Sequence, residues 1–390
     1  MNNTSRFPWH QVHWLNSIFL ILTVVLTLTA LPWFLWNHGG DITWWVHGPL
    51  ALFLFIACGM SVTLGYHRML AHLSFKASWP VRLATLLFGA AAMQASAMTW
   101  VSDHRRHHKH VDHDGDPYNI TKGFWHAHMG WIMFKIKFGS PADWENSPDL
   151  KSDRMIMWQH RNWVKIGLLL GFAMPTLVGY LVDGPIGALG GFLVGGVARL
   201  VAVHHTTFFI NSLCHTLGDQ PYSTRCTARD SWFMALFTFG EGYHNFHHEF
   251  QHDYRNGVKA WQFDPTKWAV WTLSKLGLAG DLRRVPNEQI ELSEIAEKTR
   301  KLDGRLSVVS RPLCSKTEAM YQAAQDRLTA ASATWENCRR DYQNGTKQLA
   351  ASAREQLAQL SVQLETALAE LRVAIRQWHA AHRALEGQLA

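Results

Sequence analysis

Histidine is the residue type whose spacing in this chain is best suited to chemistry. Three clusters stand out: His67-Arg-Met-Leu-Ala-His72, His104-Arg-Arg-His107-His108 and His244-Asn-Phe-His247-His248. Residues i, i+3 and i+4 share one face of a helix, so the second and third clusters each aim three imidazoles at one place. His67 and His72 differ. Five residues apart, they would point about 140° apart on an ideal helix, so the pair needs a break or a metal approached from both sides. Imidazole nitrogen suits Fe, Zn, Cu and Ni. Eight clustered rings exceed what one ion holds, so two metal ions are expected. Cys58, Cys214, Cys226, Cys314 and Cys338 are scattered and form no CxxC pair. That argues against a structural zinc site and against a disulfide framework. A lone HxxHH is an ordinary metal-sticky patch; three such clusters need a common reason.

The elements that must carry these rings are apolar. Hydrophobic residues make up 47% of the 390 and charged residues only 17%, with 19 Trp and 20 Phe, which is the balance of a chain at a lipid interface. Four stretches, 15–36, 48–66, 163–182 and 185–203, approach the roughly 20 residues that cross a bilayer. They pair through two short connections, 37–47 and the turn at Asp183-Gly184, as two helical hairpins. Lys and Arg crowd the loop 66–162 (Arg68, Arg105, Arg106, Lys109 and Lys135 among them) and everything beyond 203. The positive-inside rule then puts both termini and all three histidine clusters in the cytoplasm, below a cell inner membrane. The stretch 81–99 is read as an interfacial or buried helix, because a crossing there would separate the clusters. The apolar segment near the N-terminus has no small-residue cleavage pattern behind it and is read as a retained span.

The expected fold is an all-α integral membrane protein. Four transmembrane helices in two hairpins carry a cytosolic helical cap with the histidine-rich site over 1–281, and a helical tail follows over 282–390. From 357 a heptad runs through Leu357, Leu364, Leu371, Trp378 and Leu385, with Leu360, Ala367, Ala374 and Ala381 in the second seam. This predicts a coiled-coil helix suited to self-association. The tail is expected to be dispensable for activity.

The clusters and the words around them resemble the membrane acyl-CoA desaturases, in the bacterial-type Δ9, stearoyl-CoA-desaturase-like branch. The words are Gly65-Tyr-His-Arg-Met-Leu-Ala-His72, Asp103-His-Arg-Arg-His-His-Lys109, Asp116-Pro-Tyr-Asn119, His128-Met-Gly-Trp131, Phe209-Ile-Asn-Ser-Leu-Cys-His-Thr-Leu-Gly218 and Gly240-Glu-Gly-Tyr-His-Asn-Phe-His-His248. The resemblance runs from about 33 to 268. It implies a ninth histidine ligand, His215, and a role for Asn211 in reaching the second metal through water. Departures are Gln251, where many relatives have Pro, and the extra histidines His110, His113, His204, His205 and His252, read as supporting or surface groups. His10, His13, His38, His47, His160, His379 and His382 stand alone and are read as packing. The heptad tail has no counterpart in the resemblance.

What the resemblance implies is O2-dependent desaturation of a long-chain fatty acyl thioester or lipid-linked acyl chain, giving a cis double bond of Δ9 type, with two Fe ions as cofactor. An unactivated methylene gives up hydrogen only to an oxidant stronger than any side chain, so the metal pair must supply it. Asp103, Asp114, Asp116, Glu241 and Glu249 lie close to the ligands in sequence and are candidates to hold their free ring N–H groups. Trp100, Trp125, Trp131 and Phe124 are candidates to line an acyl tunnel, whose filling is driven by about 0.8 kcal/mol per CH2. Arg105, Arg106 and Lys109 are candidates to meet a phosphate-bearing carrier. There is no GxGxxG fingerprint behind a strand-like run and no fused haem segment, so electrons come from a separate donor, a ferredoxin with its reductase or a cytochrome-type protein. Hydroxylation on the same scaffold is the nearest alternative. A ferritin-like carboxylate site wants its two ExxH pairs on different helices, and here both fall within 241–252. A metal transporter or non-catalytic binder would place polar ligands at mid-membrane, where these spans carry none. Nucleic-acid binding does not fit basic residues that track membrane ends.

Overall fold

A computed structural model describes residues 9–135, 144–307, 314–348 and 354–389. Among the described residues, stretches rich in Leu, Ile, Val and Phe build three helices long and apolar enough to cross a membrane: α1 (Trp14–His38), α2 (Trp44–Ala71) and the 62-residue run Arg154–His215. Drawn straight, that run would extend about 90 Å, three times a hydrocarbon core. It instead leaves helical geometry at Asp183 (φ −124°) and Gly184 (φ 64°), the latter in the left-handed region that glycine takes without cost. The arms before and after the turn are α5 (154–182) and α6 (185–215). They lie against each other: Arg199 of α6 donates to the Gly171 carbonyl of α5 at 2.7 Å. At the turn the Asp183 carboxylate accepts from the Thr43 backbone N–H (2.9 Å) and hydroxyl (2.6 Å) and faces His47 Nε2 at 3.0 Å. The reversal is thereby tied to the start of α2, and the sequence-isolated His47 is buried within this tie.

The apolar stretch 81–99 divides into α3 (Trp79–Ala91, 13 residues), too short to cross a bilayer, and the front of α4 (Ala97–His110). Between them Met93 (φ 52°) and Ala95 (φ 76°) adopt left-handed backbone, at a cost of about 1–2 kcal/mol each. Three side chains of α6, two donors and one acceptor, hold this connection. Arg199 and His204 reach the Ala91 and Ala92 carbonyls at 2.9 Å, and Thr207 takes the Gln94 amide at 2.9 Å. Ser96 caps α4, accepting from Thr99 N–H, and meets His160 Nδ1 at 2.7 Å. His160 therefore steadies the helix that carries the second histidine cluster.

Short helices α7 (Trp232–Phe237), α8 (His244–Glu249) and α9 (Pro265–Lys275) complete the cap. A two-residue ladder pairs β1 (Lys76–Ala77) with β2 (Ala279–Gly280). The first compact unit runs Met1–Glu297 and takes in the start of α10 (Asn287–Leu306). Ile290 packs with Tyr222, Phe246 and Phe250, and the Ser293 hydroxyl donates to the Tyr222 carbonyl at 2.9 Å.

The second unit, Lys298–Ala390, is built on the antiparallel pair α11 (Ser315–Gln348) and α12 (Arg354–Leu389). Heptad residues Leu371, Trp378, Leu385, Ala367, Ala374 and Ala381 are all buried, as are Tyr321, Leu328 and Trp335 of α11. Trp378 Nε1 donates to Gln325 Oε1 at 2.6 Å across the pair. From Ala367 to Leu385 the seam is thus covered by the chain's own preceding helix, while Leu357, Leu360 and Leu364 are half-buried.

Candidate metal centre

The rings of the first cluster share a side because α2 changes its winding. Ser61–Ala71 is a π-helix, and His72 N–H donates to the His67 carbonyl at 3.1 Å. A helix that bonds i to i+5 carries residues five apart back to one side, which an α-helix does not. The His67 and His72 ring centroids are 4.8 Å apart. This is the break that the spacing demanded.

Nine histidines from distant parts of the chain converge in two groups. His67, His72, His104, His108 and His247 form one; His107, His215, His244 and His248 form the other. Each HxxHH cluster is divided between the groups rather than aimed whole at one point, which corrects the one-face reading. His104 and His108, four apart, go to the first group and His107 to the second; His244 and His248 go to the second and His247 to the first. The two groups meet where the His108 and His248 rings stack at 4.4 Å.

Ring Nε2 atoms face one another at short range. His72–His104 is 2.8 Å, His67–His247 3.0 Å and His108–His247 2.9 Å in the first group. In the second, His215–His244 and His244–His248 are each 3.1 Å. A metal–imidazole bond of about 2.1 Å places ligand nitrogens at right angles about 3 Å apart, the separation found here. On two of the rings the opposite nitrogen meets an acceptor. His107 Nδ1 is 2.8 Å from Asp116 Oδ1, and His215 Nδ1 is 2.7 Å from Thr227 Oγ1, whose own proton goes to Asp112 Oδ1 at 2.7 Å. Glu241 Oε2 lies 2.9 Å from His67 Nδ1, at an angle outside hydrogen-bond geometry. A carboxylate can only accept, so Nδ1 of His107 carries the proton and its Nε2 presents a lone pair to the cluster.

Electrostatics point the same way. Burial holds His72, His104, His108, His244, His247 and His248 well below the ordinary histidine range, reinforced by the neighbouring rings. These rings are neutral at pH 7 and able to donate to a cation. Burial alone would raise the Asp116 and Glu241 carboxyls; the facing His107 for one, and Arg68 with His67 for the other, hold both below their usual range. Arg68 is itself fully buried, donating to Glu241 Oε1 at 2.9 Å, to both Asp264 oxygens at 3.0–3.1 Å and to the Tyr254 carbonyl at 2.8 Å. Converging lone pairs, neutral rings and buried acceptors on the far side fit a pair of bound metal ions.

Residues 42–277 match the family model described as fatty acid desaturase. The chain belongs to the fatty acid desaturase family. It is 38% identical over 307 residues to acyl-CoA desaturase 1 of Saccharomyces cerevisiae, covering 77% of this chain and 58% of that one. It is 40% identical over 253 residues to a probable acyl-CoA desaturase of Schizosaccharomyces pombe, covering 65% of this chain and 52% of that one. To an sn-1 stearoyl-lipid 9-desaturase of Anabaena variabilis it is 32% identical over 289 residues, 73% of this chain and 98% of that one. The chain thus spans little more than half the length of the two yeast relatives. All nine converging histidines fall inside the family match.

The other sequence candidates are placed unevenly. Trp100 stacks on His104 with centroids 5.0 Å apart, and Trp131 meets Tyr118, which in turn meets His107. Asn211 is half-buried one helical turn before His215. Asp103 lies beside Arg106, and burial raises its pKa to about 6. Asp114 is fully exposed opposite Lys122, and Glu249 is clasped by Arg225, so neither backs a ring. Arg105 is held by Asp149 at 2.7–2.8 Å and by the Leu70 carbonyl, which commits it to pinning the cap rather than to a carrier phosphate. Trp125 and Lys109 point outward. Sequence reasoning missed Asp112, Thr227, Arg68 and Asp264; of these only Arg68 carried a signal, standing next to His67 inside the first cluster.

Proposed function

We propose that the chain is an O2-dependent desaturase of Δ9 type. It introduces a cis double bond into a long acyl chain presented as a thioester or on a lipid. The names of the relatives support this substrate class, and the convergence of nine imidazoles, seven of them buried and two half-buried, is the observation that carries it. His67, His72, His104, His108 and His247 would hold one iron ion, and His107, His215, His244 and His248, with Asn211 through water, the other. Bound there, the pair would supply the oxidising power to remove two hydrogens from adjacent methylenes, while O2, with two electrons from a separate donor protein and two protons from solvent, leaves as two waters. The chain's own residues orient and exclude. Asp116 and the Thr227–Asp112 pair fix the tautomers of His107 and His215, Glu241 stands behind His67 with Arg68 holding it in place, and Trp100 covers His104 from water.

The Asp183-Gly184 reversal supports four spans in two hairpins. The Lys/Arg bias supports a cytoplasmic site and cytoplasmic termini in an inner membrane. Expression in a host lacking desaturase, followed by mapping of double bonds in its lipids, tests the activity. New monounsaturated acyl chains are expected, and His107→Ala should abolish them. Product that persists in the variant overturns the site assignment; hydroxylated chains in place of alkenes overturn the reaction.

A further inference from the structure

Helix α7 is a short, uncharged helix in the segment that joins His215 to His244. Its Met234 and Ala235 are buried, while Trp232, Phe233, Leu236 and Phe237 turn outward, with Trp232 67% exposed. Helix α9 does likewise with Trp268 and Trp271. Six large apolar side chains left in water by two short helices would be a heavy cost at about 25 cal/mol per Å2. The exposure therefore asks for an occupant.

The depth of these helices identifies it. Both are fastened to the same part of α2. The Phe239 ring, two residues past α7, lies 5.5 Å from the Phe55 ring, and a Cβ on Gly59 would fall 2.2 Å from it, so Phe239 seats where only glycine leaves room. Thr266 of α9 meets the Thr63 hydroxyl and the Phe239 carbonyl at 2.9 Å each. Phe55 and Gly59 lie within the candidate span Trp44–Ala71, whose outward residues Leu52, Phe53 and Ile56 are also exposed. Gly59 precedes His67 by eight residues, roughly 10 Å of helix toward the membrane from the metal centre. At the α9 end Lys275 sits 5.5 Å over Trp271, the aromatic–cation pairing that suits a headgroup boundary.

We infer that the outward faces of α7 and α9 are continuous with the lipid face of α2 and lie within the cytoplasmic leaflet, with phospholipid acyl chains as their occupant. This rests on the reading that α2 crosses the membrane. The bilayer thereby grips the segment between two ligands of the second metal group, and the cap is seated in the membrane surface rather than standing clear of it.

Photo-crosslinking tests the placement. Benzoylphenylalanine is incorporated singly at Phe233, Phe237 and Trp271 of the full chain, reconstituted in vesicles of phosphatidylethanolamine and phosphatidylglycerol. Leu52 serves as the reference within α2 and Asp114 as the aqueous reference. After irradiation, phospholipid adducts are counted by mass spectrometry on protein that elutes as one species. Adducts at 233, 237 and 271 are expected at the yield seen for Leu52, and at least tenfold above Asp114. Lipid adducts at Leu52 without any at 233 and 237 overturn the inference while leaving the span intact, as do protein adducts there in place of lipid. Absence of lipid adducts at Leu52 itself removes the span and the inference together.

Discussion

His107 and His215 each give one ring nitrogen to the cluster and the other to an acceptor, and the acceptor sets which nitrogen is free to bind. Asp116→Asn replaces an obligate acceptor with an amide, and Asp112→Asn weakens the hold on the Thr227 hydroxyl behind His215. Losing such a partner costs roughly 10–100-fold in metal affinity or activity. Iron per chain after a timed chelator challenge should fall accordingly in both variants and stay level in Asp114→Asn, whose side chain faces solvent; equal retention in all three would remove these acceptors from the account. His128 offers a separate test, since it is buried between Ser212 Oγ at 3.0 Å and His205 Nδ1 at 2.9 Å, and burial with the His205 charge lowers its pKa to about 4. Below about pH 6.5 the unfolded chain gains a proton there that the folded chain refuses, so this contribution is complete above 6.5 and is lost as pH falls toward 4. The thermal midpoint in detergent should therefore drop between about pH 7.5 and 5, and His128→Gln should shallow that slope; an unchanged slope would discount the residue. Sequence proximity found Asp116, nine residues from His107, and misjudged Asp114 and Glu249. It had no access to Thr227, 115 residues from the Asp112 that orients it.

At the scale of elements, the HxxHH spacing was legible because an α-helix has one fixed period, and it correctly brought those rings together. The division of each cluster between two metal groups was not, since it depends on how α4 and α8 face one another. For His67 and His72 the sequence stated the difficulty, about 140° of misdirection, without its answer, because no local residue pattern marks the π winding of the wholly buried Ser61–Ala71. The apolar content of the three long helices was legible by length, and Asp183-Gly184 as a turn. The tie from that turn to α2 was not, since Thr43 and His47 lie about 140 residues away in sequence. Asp183→Ala removes the acceptor at the Thr43 helix start and strands the buried His47. The thermal midpoint should fall by several degrees, with Asp183→Asn intermediate, while iron per folded chain holds. A wild-type midpoint in Asp183→Ala would show that the hairpins need no such clamp.

For the whole molecule the question is where the catalytic unit ends. The change in composition near 282 is real, yet the compact unit continues to Glu297 because α10 begins by covering the back of α8. Phe246 on the helix that presents His244, His247 and His248, and Phe250 just past its end, are apolar, and Ile290 closes over them with Tyr222. A cut after Asp281 would uncover this cluster, and losing one buried Ile alone costs 2–5 kcal/mol by analogy with Ile→Ala changes. A cut after Leu306 keeps Ile290, Ser293 and Glu297 of the first unit and removes the α11–α12 pair, baring only the second-unit end of α10, where Leu302 is buried and Arg305 pairs with Glu386 at 3.6 Å. In the desaturase-lacking host the 1–306 chain should give wild-type levels of unsaturated product at equal membrane abundance. The 1–281 chain should show lower abundance and less iron per chain, and Ile290→Ala in the full chain should reproduce part of that loss. Were 1–281 to match 1–306 in iron and product, the cover over Phe246 would be idle and the tail separable from its first residue. Were 1–306 inactive though inserted and iron-loaded, the paired helices would be acting on the reaction from outside the unit that holds the metal.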